Sequence, residues 1–348
     1  MSAAPYFASS YAEARQKFRD AAHTFQTFTH PHLAGPEGEY LTVDVSRIGA
    51  EKAKRVILTC SATHGVEGYV GSAAQVAALK TGICDSLPPD TAVVHVHAIN
   101  PYGFAHTRRV NEDNVDLNRN FMDFSQPLPA EHPLTKEVLP LLAAEKPDVK
   151  LQEMVEKYGL KPVQAAITQG QYRLPESIYF GGKSPVWSNI VWREIVAQHC
   201  RGAAQVLHID IHSGLGPYGY GELIYSDPLD SPTLQVARNL WGDSVKCSLD
   251  GSSVSPPLTG EIERGVKDEV GFDNVVSVTL EFGTIFLPEM LAGIQADNWL
   301  HNQKQVDRAT RARIKRQIRY CFYGEEPVWR DMTVERSLDV MRRALKGA

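Results

Sequence analysis

The chain has 348 residues, of which 43% are hydrophobic and 22% are charged, and its formal net charge at pH 7 is −5. This composition is typical of a globular protein with a substantial core, and the length suits one large domain or two ordinary ones. The net charge is negative, which argues against a nucleic-acid partner, because such a partner requires a basic surface. No run approaches the roughly eighteen apolar residues of a membrane span, and the N-terminal residues lack the apolar segment of a signal peptide.

The five cysteines are widely scattered and form no CxxC motif. Their odd number and spacing are typical of free thiols in a reducing compartment, not of a disulfide framework. We therefore expect a cytoplasmic protein that is not inserted in a membrane.

An amphipathic helix is predicted first, over residues 10–27, where tyrosine, alanine and phenylalanine recur at helical intervals. Residues 40–49 alternate as a strand does, and residues 55–63 form a continuous β-rich run typical of a buried parallel strand. A second helix is predicted over residues 67–82 and another strand over residues 91–100. This strand–helix–strand succession indicates an α/β sheet with a right-handed crossover.

The middle of the chain, at about 126–200, is less regular. It combines a helical stretch interrupted by prolines with a loop rich in glycine, proline and aromatic residues, which favours a functional loop over a disordered one. Strand character returns at 203–214, 222–227 and 274–283, and the C-terminal part is mainly helical. Because no repeat, low-complexity tract or linker separates these parts, we predict a single domain over 1–348 with an elaborated insert at about 126–200.

Ionisable side chains lie at the ends of three predicted strands: the pair His64 and Glu67, then His212, then Glu281. In an open α/β sheet, ligands bind at these carboxyl ends. Two histidines and a carboxylate match the three protein ligands of a catalytic zinc site, whose fourth position is left for water. Each residue alone has an ordinary structural explanation, such as a first-turn glutamate stabilised by the helix dipole. Their joint occurrence favours a metal site, with Glu281 as the nearby proton acceptor.

The segment NPYGFAHTRRVNEDNVDLNRNF, residues 100–121, makes a family likeness specific. The chain carries, in order, HxxE from His64, then NPYGF and DLNRNF in this segment, then His212-Ser213, then Glu281. This ordered set resembles the zinc carboxypeptidase superfamily, in a bacterial branch also related to aspartoacylase and succinylglutamate desuccinylase. The resemblance implies an α/β fold with a mixed, largely parallel sheet of about eight strands flanked by helices.

The resemblance also implies the metal and its ligands: one Zn²⁺ ion bound by His64, Glu67 and His212. It makes Glu281 the general base and later the general acid. The chemistry agrees, because zinc lowers the pKa of its bound water to about 7 and a carboxylate within reach can move the proton to the leaving amine.

The substrate-binding residues are implied in the same way. Asn118 and Arg119 match the pair that holds the substrate's terminal carboxylate, which suits the planar fork of arginine. Arg109 matches the arginine that polarises the scissile carbonyl, where such a donor stabilises developing negative charge. Arg108 remains an alternative to Arg109, because the two arginines are adjacent.

The chain also departs from the family pattern. Gly214 follows the His-Ser pair, where the family usually has an aromatic residue. The mobile tyrosine of the carboxypeptidases has no assigned counterpart, and the candidates are Tyr218, Tyr220 and Tyr225. The aromatic residues of the insert either form a pocket wall specific to this branch or pack in the core: Tyr172, Tyr179, Phe180 and Trp187.

Three other features have less direct roles. The GxGxxG at 214–219 is followed by strand-like residues, whereas a dinucleotide site requires a helix there, so we do not expect this loop to bind a nucleotide. Asp116 is expected to orient its neighbours in the loop. His208 or Asp210 could support the metal ligands from behind.

We therefore predict a zinc-dependent hydrolase that resembles a metallocarboxypeptidase. Its substrate would be a small peptide, in which it cleaves the amide or peptide bond next to a free carboxylate. The alternative is an N-acyl amino acid amidohydrolase of the aspartoacylase type that uses the same zinc site. A third, less favoured interpretation is a zinc-binding protein without catalysis, although such a protein has no use for Glu281 and Arg109. The sequence leaves the oligomeric state and the side-chain preference open.

Overall fold

The structure is a computed structural model, and it describes residues 2–146 and 149–347. Within these residues, eight strands form one sheet. The strands are β1 (Gln26–Ala34), β2 (Tyr40–Gly49), β3 (Arg55–Ser61), β4 (Thr91–His97), β5 (Gln205–Tyr218), β6 (Gly221–Tyr225), β7 (Val245–Cys247) and β8 (Val275–Gly283). The helices are α1 (Tyr11–Ala21), α2 (Gly68–Lys80), α3 (Pro101–Ala105), α4 (Thr135–Val138), α5 (Val149–Tyr158), α6 (Leu160–Thr168), α7 (Trp187–Cys200), α8 (Pro232–Trp241), α9 (Glu263–Val270), α10 (Leu287–His301), α11 (Arg308–Phe322) and α12 (Pro327–Lys346).

The strand order across the sheet is β1-β2-β4-β3-β5-β8-β6-β7. The central pairs β4–β3, β3–β5 and β5–β8 are parallel, and so is β6–β7 at one edge. The pairs β1–β2, β2–β4 and β6–β8 are antiparallel. The predicted α/β fold, with a mixed and largely parallel sheet of about eight strands flanked by helices, is confirmed.

The sheet is buried on both faces, which explains why its central strands read as continuous apolar runs. In β3, Ile57 packs into one core, whereas Val56 and Leu58 pack into the other. Helices α7 and α9 cover the second of these cores. Since successive side chains of a strand point to opposite faces, an unbroken run of apolar residues is what two covered faces require.

The edges of the sheet differ most from the sequence prediction. The helix predicted over 10–27 ends at Ala21, and residues 26–34 pair with β2 as the edge strand β1. Most of β1 is exposed and it contains Pro31, so it lacks the apolar pattern of a covered strand. The short edge strand β7 was likewise not predicted. Both strands depend on pairing with a neighbour and carry little signal in their own residues.

The region at about 126–200 contributes α4, α5, α6 and α7, and the described residues of this range form no strand of the sheet. Helix α7 packs on the sheet through buried Trp192 and Ile195. Helix α6 packs against α5 and α4. The organisation as one domain with an insert stays a prediction.

No helix of the described residues combines the length and the hydropathy that a bilayer crossing demands.

Candidate metal centre

Three parallel strands in the middle of the sheet bring the predicted metal ligands together. His212 on β5 is paired in register with Glu281 on the neighbouring strand β8. His64 and Glu67 follow β3, which pairs with β5 on its other side. Because parallel neighbours end at the same edge of the sheet, residues far apart in the chain meet there.

The loop that carries His64 is held by close backbone contact. A Cβ atom on Gly65 would lie 2.1 Å from the carbonyl carbon of Gly103, so this position has no room for a side chain. The Gly65 amide donates to the carbonyl of Arg109 at 3.0 Å, and the Val66 amide donates to that of Arg108 at 2.8 Å. The HxxE turn and the segment after NPYGF are therefore fastened to each other before any side chain of the site is considered.

The two imidazoles point their Nδ1 atoms at one carboxylate. His64 Nδ1 lies 2.9 Å from Glu67 Oε1, and His212 Nδ1 lies 2.9 Å from Glu67 Oε2. The two Nδ1 atoms are 3.1 Å apart, and all three side chains are buried. A tetrahedral zinc site with Zn–N distances of 2.0–2.1 Å places two nitrogens about 3.3 Å apart. The spacing and the chemistry of the three residues therefore fit a zinc ion.

Two aspartates stand behind the histidines. His212 Nε2 lies 2.5 Å from Asp210 Oδ2, so this ring donates from Nε2 and its Nδ1 is available to a cation. His64 Nε2 lies 3.2 Å from Asp116 Oδ1, and the Arg109 guanidinium also approaches this nitrogen, at 2.7 Å. Carboxylates in this position fix the ring orientation and raise the basicity of a ligating histidine.

The buried charges of the site compensate one another. Burial alone would raise the pKa of the Glu67 carboxyl, but the positive charges of His64 and His212 hold it below its ordinary value. Burial would likewise lower the pKa of His212, yet Asp210 and Glu67 hold it well above the usual range. A cluster with this much negative charge around two imidazoles favours a bound cation.

Glu281 lies beside the cluster. Its Oε1 accepts a hydrogen bond of 2.9 Å from the Leu215 amide. Burial and the neighbouring Glu67 charge raise the pKa of Glu281 to about 8. A divalent cation held by the adjacent ligands would favour the ionised carboxylate, which is the form that accepts a proton.

The two adjacent arginines face different surroundings. Arg109 lines the cavity of the site, donates to Asp116 Oδ2 at 3.0 Å and lies 3.3 Å from Glu67 Oε1. Arg108 instead donates to Asp297 at 3.0 Å and to Asn114 at 2.8 Å. The structure therefore brings Arg109 to the metal ligands and leaves Arg108 in a separate ion pair.

Asn118 and Arg119 lie on a short 3-10 turn, Leu117–Arg119, and both line the cavity. The Asn118 side-chain oxygen accepts from the Ile262 amide at 2.8 Å. Arg119 donates through Nε and Nη2 to the Thr168 carbonyl, at 3.1 and 2.6 Å. Its Nη1 donates to the Asn118 carbonyl at 2.7 Å, so carbonyl contacts fix the whole guanidinium at the cavity wall.

One tyrosine of the insert reaches the site. Tyr179 has a φ of 54°, which is strained for a bulky residue, and its ring centre lies 5.0 Å from the Arg109 guanidinium and 5.7 Å from that of Arg119. Tyr218 instead contacts Glu326. None of the three predicted candidates for the mobile tyrosine, Tyr218, Tyr220 and Tyr225, lines the cavity of the site. For Tyr179, the sequence indicated only a pocket wall or the core.

We call the space enclosed by these residues the catalytic cavity. Its volume is about 70 Å³. Besides the residues above, its wall includes Glu261, together with Gln164 and Thr168 of α6 and Leu287 of α10. Burial and neighbouring Glu263 raise the pKa of Glu261 to about 7. Sequence reasoning missed Gln164, Thr168 and Leu287, because no motif marks them.

Over residues 7–336, the sequence matches the protein family described as "Protein of unknown function (DUF2817)". The chain belongs to this family. No curated protein matches it. The description assigns the family no activity, so its function has to be argued from the site.

Solved structures similar to this chain include carboxypeptidase A from Helicoverpa armigera, with 18% identity, coverage of 88% of this chain and 73% of the other, and a TM-score of 0.46. Succinylglutamate desuccinylase from Chromobacterium violaceum has 15% identity, coverage of 90% and 73%, and a TM-score of 0.39. Murein-tripeptide amidase MpaA from Escherichia coli O157 has 16% identity, coverage of 88% and 97%, and a TM-score of 0.36.

Proposed function

We propose that the protein is a zinc-dependent hydrolase that cleaves an amide bond next to a free carboxylate. The observation that carries the proposal is the convergence of His64, Glu67 and His212 with Glu281 paired in register beside His212. A zinc ion bound by the three ligands would activate water at neutral pH and polarise the scissile carbonyl.

The side chains around the ligands have separate tasks in this proposal. Glu281 accepts a proton from the attacking water and returns it to the leaving nitrogen. Arg109 stabilises the negative charge that develops on the carbonyl oxygen, and its contacts with Asp116 and Glu67 hold it at that place. Asp210 keeps the His212 ring in the orientation that ligation requires.

We assign the carboxylate of the substrate to Arg119 and Asn118 in the cavity wall. Arg119 supplies a buried positive charge whose position is fixed by Thr168. Asn118 uses its side-chain oxygen for the Ile262 amide, which turns its amide nitrogen into the available donor. An arginine and an amide at one wall are suited to a planar carboxylate.

The same contacts serve a small peptide and an N-acyl amino acid, because the two substrates differ only in what the scissile carbonyl carries. The assay is therefore a panel that contains both, measured on the zinc-loaded protein. We expect the protein to hydrolyse substrates with a free carboxylate and not to hydrolyse their amidated counterparts.

The decisive variant is Glu281→Gln. We expect it to bind one zinc ion per chain and to lower kcat by about 10²–10⁴-fold, which is the usual contribution of a positioned general base. The control is Glu222→Gln: Glu222 pairs with Glu281 across β6 and β8 but accepts hydrogen bonds from Ser253 and Val254 and does not line the catalytic cavity. Equal turnover of the two variants would remove Glu281 from the mechanism, and failure of the wild type to bind zinc would reject the site.

A further inference from the structure

A second cavity lies next to the catalytic cavity, between α5, α6 and α10. Its volume is about 410 Å³, within the range of about 300–1,000 Å³ that is typical of ligand sites. Its wall is mainly aliphatic, with Leu151, Val155, Leu160, Val163, Ile167 and Leu291. No charged residue of the described chain lines it. We call it the apolar cavity.

The two cavities share part of their walls. Gln164 on α6 and Leu287 at the start of α10 line both of them. On α6, Thr168 faces the catalytic cavity, whereas Ile167 faces the apolar cavity. The two cavities therefore adjoin at α6 and at the start of α10. Gln164 lies about one helical turn before Thr168, whose carbonyl holds Arg119.

The partition between the cavities includes a side chain that can move. Within the described residues, the side-chain amide of Gln164 makes no hydrogen bond, and the residue is only partly buried. The apolar cavity has two further polar side chains in its wall, Gln152 and Gln295. Gln295 is fixed because its side-chain amide donates to the carbonyls of Ala144 and Lys146 at 2.7 and 2.9 Å. Gln164 is therefore the polar side chain of the shared wall that no hydrogen bond within the described residues holds in place.

The cavities differ in what they can hold. The catalytic cavity has 70 Å³ and a charged wall, which suits the amide and the carboxylate of a substrate. The apolar cavity has 410 Å³ and leaves aliphatic side chains in water, with Leu160 47% exposed. Apolar surface in a concave site is stabilised when an apolar ligand removes it from water.

We propose that the apolar cavity binds an unbranched hydrocarbon chain of the substrate, so that the preferred substrates are carboxylate-bearing amides with an aliphatic chain of about six or more carbons. The inference rests on the proposed function, since the chain is part of the molecule that is hydrolysed. The apolar cavity adjoins the catalytic cavity at Gln164 and Leu287, and its described wall carries no charge, so a hydrocarbon chain of a bound substrate suits it.

Two substrate series on the zinc-loaded protein test the proposal and locate the chain. The first varies the acyl group of N-acylglycine from acetyl to decanoyl, and the second varies the side chain of an N-acetyl amino acid from methyl to octyl. We expect kcat/KM to rise two- to fourfold per methylene in one series and to stay level in the other, because each buried methylene contributes a constant increment. The series that rises identifies the half of the substrate that carries the chain.

A matched pair of variants places the effect in the cavity. Leu160→Glu puts a charge into the apolar wall, and Leu249→Glu makes the same change at a turn residue that is also 47% exposed and lies outside both cavities. We expect Leu160→Glu to lower the ratio of long-chain to short-chain kcat/KM at least tenfold, and Leu249→Glu to leave this ratio as in the wild type. Leu291→Glu, on α10, repeats the test from the opposite wall.

A binding measurement separates this inference from the proposed function. Calorimetry on the wild type should show decanoate binding at least tenfold more tightly than butyrate, and Leu160→Glu should abolish this difference. Level kcat/KM in both series, or equal behaviour of Leu160→Glu and Leu249→Glu, would overturn the inference while hydrolysis itself continued. Absence of hydrolysis with all amides would instead reject the proposed function, and decanoate binding would still decide whether the apolar cavity takes a hydrocarbon chain.

Discussion

The carboxyl ends of β3, β5 and β8 carry the candidate metal site, and helices α5 and α6 border the apolar cavity next to it. The two regions are built in different ways. The strand ends hold buried ionisable residues, each with a hydrogen-bonded partner, as His212 has Asp210. The insert helices offer aliphatic side chains around a cavity, with few polar contacts. The first region is determined by charge compensation, and the second by shape and hydrophobic contact.

This difference indicates how the two regions can change. A buried charge that loses its partner carries a large penalty, so the ligand cluster tolerates little substitution. An aliphatic wall can exchange one apolar residue for another at a small cost when volume is kept. We therefore expect the chemistry of the site to be determined at the strand ends and the choice of substrate to be determined by the insert.

The largest effect is expected from His212→Ala, which tests whether the strand ends are a single unit. Removal of this ligand should reduce bound zinc to well below one ion per chain and lower hydrolysis at least 10³-fold, because the remaining two ligands no longer complete the site. Zinc content and kcat on the panel substrates measure it. The control is His208→Gln, four residues earlier on β5, where the ring hydrogen-bonds to Ser277 and its centre lies 5.4 Å from that of Trp192. That variant should keep its zinc, and loss of zinc from both proteins alike would show general destabilisation.

A smaller effect is expected from Tyr179, the point at which the insert reaches the strand-end charges. Tyr179→Leu removes the ring that lies against Arg109 and Arg119, and we expect kcat/KM to fall about 3- to 30-fold, in line with cation–π contributions of about 0.5–2 kcal/mol. Tyr179→Phe keeps the ring and should restore most of this loss. If the phenylalanine variant were as impaired as the leucine variant, the hydroxyl rather than the ring would be the important group.

The last effect is on stability and not on turnover, and it concerns Glu261, which lines the catalytic cavity and has a pKa raised to about 7, first by burial and then by Glu263. Below pH 4.5 this carboxyl is neutral in the folded and unfolded chain alike, so it does not affect stability. Between pH 4.5 and 7 the unfolded chain loses this proton first, and the folded state is progressively destabilised. We expect Glu261→Gln to match the wild type near pH 4 and to be more stable by about 3 kcal/mol at pH 8.

Denaturant unfolding at the two pH values measures this difference. Glu37→Gln, at an exposed turn position, is the control and should show the same free energy of unfolding as the wild type at both pH values. A constant difference between Glu261→Gln and the wild type across this range would mean that the carboxyl does not titrate differently in the folded state.

The central part of the fold could be predicted from the sequence because its signals are local. The strand predicted at 40–49 is β2, and the strand predicted at 55–63 contains β3, since a doubly buried strand needs an unbroken apolar run. The edge strand β1 could not be found in this way. Its exposed residues and Pro31 carry no such pattern, and its conformation is set by hydrogen bonding to β2.

The candidate site shows the same division. Motif order placed Arg109 or Arg108 near the ligands, but only the ion pair of Arg108 with Asp297 showed which of the two faces away. The position of the Tyr179 ring against Arg109 and Arg119 could not be predicted, because a positive φ in a non-glycine residue is imposed by its surroundings.

The sequence by itself determined which residue types are available at the ends of the strands and in what order, because strand periodicity and turn-forming residues act over a few neighbouring positions. The tertiary structure alone decided that His64 and His212 place their Nδ1 atoms 3.1 Å apart around one carboxylate. It also decided that the helices of the insert form an apolar cavity against the same site. The physical reason is that both arrangements arise from packing between segments far apart in the chain, which no local pattern encodes.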